Sequence, residues 1–157
     1  MTIEENVMTT LCIVPCGKRK IWDRFPDAGP MPARHVYAGP FATKCKMYAE
    51  RFYSDSWSIL SAKYGFLFPD DIVPGPYEMT FCKPNTNPIS LDVLRGQVIK
   101  KGLDRYSAVV VLGGRRYASI VAQAIPRAPL SVPLQGCGGI GMMMHHLKSA
   151  LSSGIPL

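Results

Sequence analysis

The chain has 157 residues, 47% of them hydrophobic, and carries 18 lysines and arginines against 11 aspartates and glutamates, a formal charge of +7. That length is expected to fold around one core as a single domain spanning 1–157, which excludes a second independent unit. The positive balance favours phosphates or another acidic surface, and no apolar run approaches the ~20 residues that cross a bilayer, so no membrane partner is expected.

Glu4, Glu5 and Asn6 interrupt the opening before a leader's apolar run could develop, which points to a cytoplasmic protein. Thr10-Leu11-Cys12-Ile13-Val14, stopped by Pro15 and Gly17, predicts a first strand buried on both faces. Residues 22 to 40 hold Pro26, Gly29, Pro30, Pro32, Gly39 and Pro40 and read as a long ordered loop or lid. Phe41, Cys45, Tyr48 and Phe52 then recur at helical spacing, with Lys44, Lys46, Glu50 and Arg51 largely opposite. Trp57 to Ser61 predicts a second strand, and Lys63-Tyr64-Gly65 a turn just past its end. From Pro69 to Pro88 the chain reads as irregular and too polar for core.

Ser90 caps a predicted helix with Asp92 in its first turn, Lys100 and Lys101 in its last and Gly102 as its stop. Ala108 to Leu112 is the clearest strand and leads through Gly113-Gly114-Arg115-Arg116 into a helix with Tyr117, Ile120, Val121 and Ala124 inward, ended by Pro126. Leu130 to Leu134 predicts a fourth short strand. After Gln135 to Gly139 a last helix follows with Ile140, Met144, Leu147 and Leu151 on one side. Alternating strands and helices imply right-handed crossovers. The fold class is therefore α/β, a single three-layer domain with a short parallel sheet of about four strands and helices on both faces.

In such sheets ligands sit beyond the carboxyl ends of the strands, so the loops there are the candidates. After the first strand, Cys16-Gly17-Lys18-Arg19-Lys20 places cations on a tight turn whose backbone N–H groups can join in holding phosphate. After the third, Gly113, Gly114 and Arg116 stand at a helix start, where a close approach, the helix dipole and a two-pronged guanidinium all suit an anion. The turn Gly136 to Gly141 satisfies G-x-G-x-x-G but lacks the later acid of a dinucleotide fold, and its glycines serve tight packing equally well. After the second strand, Ser61, Lys63, Tyr64, Asp70 and Asp71, with Tyr77 and Glu78 further on, mix aromatic rings, a cation and carboxylates. That mixture suits a stacked base with an acid near the reacting carbon; a solvated turn would carry the same two adjacent acids.

The five cysteines are odd in number and scattered, and are expected as free thiols. Cys12 and Cys16 form one C-x3-C pair without the second pair of a zinc set, and His145 and His146 point about 100° apart on a helix. No metal and no cofactor is expected. Cys16 with His35 is one conceivable nucleophile pair.

Leu60 to Asp71, continued by Pro76-Tyr77-Glu78-Met79, resembles the "LSxxYGxLxPxD…PYxxEM" segment of the bacterial peroxide-stress protein YaaA family. Small bacterial and phage domains of this kind share further motifs, which here read Cys16 to Lys20, Tyr37 to Glu50, Leu60 to Asp70 and Pro133 to Lys148. The resemblance implies DNA binding and DNA protection under oxidative stress, without a defined reaction. A short parallel sheet with functional loops after its first and last strands is also similar to uracil-DNA-glycosylase-like folds. Pro15-Cys16-x3-Lys20 resembles the start of the "PCxxxKPYxxSxxH" motif of the archaeosine synthase lysine-transfer domain, although Ile21-Trp22 stand where that motif has Pro-Tyr.

These readings lead to a protein acting on a nucleotide or nucleic-acid base, by N-glycosidic cleavage or base exchange. The expected acids are Asp71, Asp70 and Glu78. Cys16, Gly17, Lys18, Lys20, Ser61, Lys63, Tyr64, Tyr77, Gly113, Gly114 and Arg116 would bind the substrate. The alternative is a module that grips DNA or RNA phosphates without chemistry, in a stress response or phage-related defence.

Overall fold

The computed structural model describes residues 9–157, so Glu4, Glu5 and Asn6 lie outside the described residues. The central strand β1, Thr10–Pro15, pairs in parallel with β3, Trp57–Ser61, on one side and with β6, Ala108–Val111, on the other. A short strand β7, Leu130–Ser131, extends the parallel run beyond β6. β4, Gly65–Leu67, closes the opposite edge antiparallel to β3, giving the order β4-β3-β1-β6-β7.

Alternate residues of the inner strands serve two cores, as expected of strands covered on both faces. Leu11 and Ile13 of β1 join Val109 and Val111 of β6 beneath α3, Leu91–Lys100, and α4, Arg115–Ala124. Cys12 and Val14 join Trp57, Ile59 and Val110 beneath α2, Pro40–Phe52, and α5, Ile140–Ser153. The sheet is thus α/β, mostly parallel and sandwiched by helices. Among the described residues no helix is long and apolar enough to cross a membrane.

Several segments differ from their sequence reading. The Lys63-Tyr64-Gly65 turn reverses the chain into β4, because Gly65 adopts a positive φ of 77° that lets Gly65 pair back to Ser61. Residues 22 to 40 are not a free lid. They contain the short helix α1, Ile21–Arg24, and the strand β2, Met31–Pro32, which pairs with β5, Ile72–Val73. Trp22, Ala33, Val36 and Tyr37 are buried, and the Trp22 indole donates to the Gly29 carbonyl at 2.8 Å. The stretch 69 to 88 also reaches the core, through Val73, Tyr77 and Phe81. The fourth strand stops at Ser131, ahead of Pro133, which has no N–H to extend the ladder. Ile140, read as inward, is 57% exposed at the first turn of α5, while Leu147 and Ala150 carry the burial.

Candidate functional site

β1, β3 and β6 run in the same direction, so the segments following Pro15, Ser61 and Val111 meet at one edge. The crossover from β1 goes one way through α2 and the chain then returns past β1 to β6, so the connections diverge between β1 and β6, where a doubly wound sheet opens a crevice. Cys16 and Tyr117 bridge that crevice: Sγ and Oη lie 3.3 Å apart, and the Gly17 N–H donates to the same oxygen at 3.4 Å. Gly113 holds φ 125°, a backbone conformation that side chains rarely adopt, while a Cβ there would make only ordinary contact, at 3.5 Å, with Pro15 and the Tyr117 ring. Burial pushes the Cys16 thiol up, opposed by Tyr117, the Ala62 backbone and the charge of Lys20.

Beside the crevice lies a buried polar cluster. Tyr77 Oη is 2.6 Å from Tyr37 Oη and 2.7 Å from Ser61 Oγ, and Ser61 Oγ accepts the backbone N–H groups of Lys63 and Tyr64. The Lys20 ammonium stands 4.3 Å from the centre of the Tyr77 ring and donates to the Lys18 carbonyl at 3.0 Å. Burial lowers its pKa, and the charge of the exposed Glu78 partly offsets this. Lys63 covers Tyr64 at 5.2 Å, and Tyr64 meets Tyr77 edge-on with 5.6 Å between ring centres. Burial also pushes the Tyr37 phenol up, to about 12, and raises Tyr77 and Tyr117 further.

On the other side of β6, Gly113, Gly114, Arg115, Gln135, Gly136 and Gly138 line a cavity of about 660 Å³. The first turns of α4 and α5 both open onto it. A second cavity, about 540 Å³, lies at the far end of α4 between Val98, Ile99, Tyr106 and Ile125, and none of the candidate site residues lines it.

Cys16, Gly17, Lys20, Ser61, Lys63, Tyr64, Tyr77, Gly113 and Gly114 therefore share one edge, with Lys18 exposed on the β1 turn, Asp23 accepting the Lys20 backbone N–H at 2.9 Å, and the exposed Glu78 following Tyr77 in the chain. Asp70 and Asp71 do not join them. β4 carries the chain back from the edge, Leu67 pairing with Ile59, and the two acids lie beyond it, Asp70 against Arg34 at 3.0 Å and Asp71 against Lys101 at 3.6 Å. Arg116 donates to the Phe81 carbonyl at 2.7 Å and secures the 79–83 segment, so Arg115 is the guanidinium at the cavity. His35 is exposed in a 3-10 turn, and the partner of Cys16 is Tyr117. Among the described residues no group of three His, Cys, Asp or Glu stands close enough to hold a metal ion, and all five cysteines are free thiols. Sequence reasoning missed Tyr37 and Tyr117. Tyr37 opens the Tyr37 to Glu50 motif, whereas Tyr117 sits among apolar positions and carries no signal of its own.

Fold and site together define an α/β protein with a mostly parallel sheet whose carboxyl edge gathers tyrosine hydroxyls and lysines. The chain belongs to the family described as "Family of unknown function (DUF6884)", whose model matches residues 11–149. It is similar to "Uncharacterized protein YfjM" of Bacillus subtilis (strain 168), with 45% identity over 145 residues, covering 92% of this chain and 96% of that protein. No solved structure gives a significant match.

Proposed function

We propose that this protein acts on a nucleotide or nucleic-acid base held at the carboxyl edge, by cleavage or exchange at the N-glycosidic bond. One observation carries the reading. All four ion pairs among the described residues, Arg34–Glu50, Arg34–Asp70, Arg95–Asp92 and Lys101–Asp71, leave out Lys18, Lys20, Lys63, Arg115 and Arg116. Cations gathered without carboxylate partners create a positive potential that attracts phosphate. The half-buried Tyr64 ring offers a face to a base.

As the glycosidic bond breaks, positive charge grows on the sugar, and a carboxylate close to it lowers the barrier. Glu78, which follows Tyr77 directly in the chain, takes this role in place of Asp70 and Asp71. The motif resemblance to the YaaA family, with its DNA association, supports this reading.

The test is base release from modified and unmodified DNA, nucleotides and tRNA. Glu78→Gln is expected to lower turnover about 100-fold or more, with Asp71→Ala close to the parent protein. Equal turnover in the Glu78 variant removes the assignment. The second reading, phosphate gripping without chemistry, is favoured by the same unpaired cations. It predicts binding to any sequence with no product from any substrate.

A further inference from the structure

The buried cluster holds more hydrogen-bond donors than its own acceptors use. Ser61 Oγ accepts two backbone N–H groups, at 3.2 and 3.0 Å, which fills its lone pairs and directs its proton to Tyr77. The hydroxyls of Ser61, Tyr77 and Tyr37 are joined by two links, so two of their three protons are engaged. One phenol proton, on Tyr77 or Tyr37, is left out of these two links. Lys20, only 6% exposed, adds to the surplus. One ammonium proton goes to the Lys18 carbonyl and another faces the Tyr77 ring, while the third has no acceptor and no carboxylate lies within ion-pair reach among the described residues.

Unspent donors in a desolvated site are costly until a ligand oxygen meets them. Tyr64 and Tyr77 wall this site with rings, while the exposed cations Lys18, Lys63 and Arg115 stand outside it. We propose, resting on the nucleotide reading above, that Lys20 and the surplus phenol proton receive the ring carbonyl oxygen of a nucleobase. They thereby select an oxo-purine over an amino-purine. An exocyclic amino group would point its own protons at these donors and leave all of them unmet.

Inosine 5′-monophosphate and adenosine 5′-monophosphate differ by this oxygen and amino group at purine position 6 and by the proton that only the inosine ring carries on N1, and calorimetric titration of the full-length protein with each decides the matter. The inosine nucleotide is expected to bind roughly tenfold tighter or more. Lys20→Met should bring the two affinities together. Lys20→Gln, which supplies an acceptor, should shift the preference toward the adenosine nucleotide. Equal binding of both by the unmodified protein overturns the inference while leaving the nucleotide reading in place, and needs no variant to fold. A parallel loss of both nucleotides in Lys20→Met means a phosphate contact and also overturns it. Binding of neither overturns this inference, and base release from DNA and tRNA then decides the broader reading separately.

Discussion

Thiol chemistry separates the five cysteines by position. Cys12, Cys16 and Cys45 are buried, and burial pushes each thiol up, whereas Cys82 is exposed and Cys137 partly so. Alkylation of the folded protein followed by mass spectrometry should therefore mark Cys82 and Cys137 first, with the other three labelled only on unfolding. Rapid labelling of Cys16 would mean that the Tyr117 contact is open in solution. Tyr37 makes a second case. Its phenol is pushed up to about 12 by burial while the unfolded chain ionises near 10, so the folded state holds the proton that the unfolded state gives up. Stability should be intact below pH 10 and fall as pH rises toward 12, Tyr37 contributing about 2–3 kcal/mol of a loss that Tyr77 and Tyr117 share, and Tyr37→Phe should lessen that fall in thermal melts. Residue chemistry was legible where the residue type is unusual in its setting. Gly17, Lys20 and Ser61 stood out among turns and strands, while Tyr37 and Tyr117 did not, because an aromatic side chain at a core-facing position looks the same whether its hydroxyl is idle or engaged.

The β3–β4 hairpin depends on a side chain from a different element. Gln97 of α3 accepts the Phe66 N–H at 2.9 Å and donates to the Tyr64 carbonyl at 2.8 Å. Gln97→Ala is expected to cost about 1–3 kcal/mol in urea unfolding by leaving those backbone groups unmet. Gly65→Ala should cost a comparable amount, because a methyl group there would run into the Gln97 side chain at a backbone angle that disfavours it. An undiminished midpoint in either variant would show that the hairpin holds itself. β1, β3 and β6 were legible as apolar runs, and α3 from its cap and stop, since Ser90 does accept the Val93 N–H at 3.2 Å. β4 was not, because Gly65-Phe66-Leu67 is too short to show a period and follows a turn. Its existence removed Asp70 and Asp71 from the edge, so one unseen strand changed the acid assignment.

For the molecule as a whole, +7 spread over 157 residues makes phosphate binding salt-dependent. If Lys18, Lys63 and Arg115 each meet a phosphate, the slope of log affinity against log salt should be about −2 to −3 with single-stranded DNA, and Lys63→Ala should reduce its magnitude by about 1. A slope near zero would place these cations away from the ligand. The parallel direction of the inner strands follows from their alternation with helices, whereas the sheet order depends on pairings distant in the chain that no local pattern encodes.

That order has a consequence for biosynthesis. The middle strand is the first to leave the ribosome, yet Cys12 finds Trp57 on one flank and Val110 on the other. At roughly 5–20 residues per second, its second flank waits about 5–20 s for a neighbour to be translated. For nearly half of that interval a largely apolar ribbon stands unpaired and for the rest half-paired, and the nascent polypeptide is at its most vulnerable to sticking to other chains.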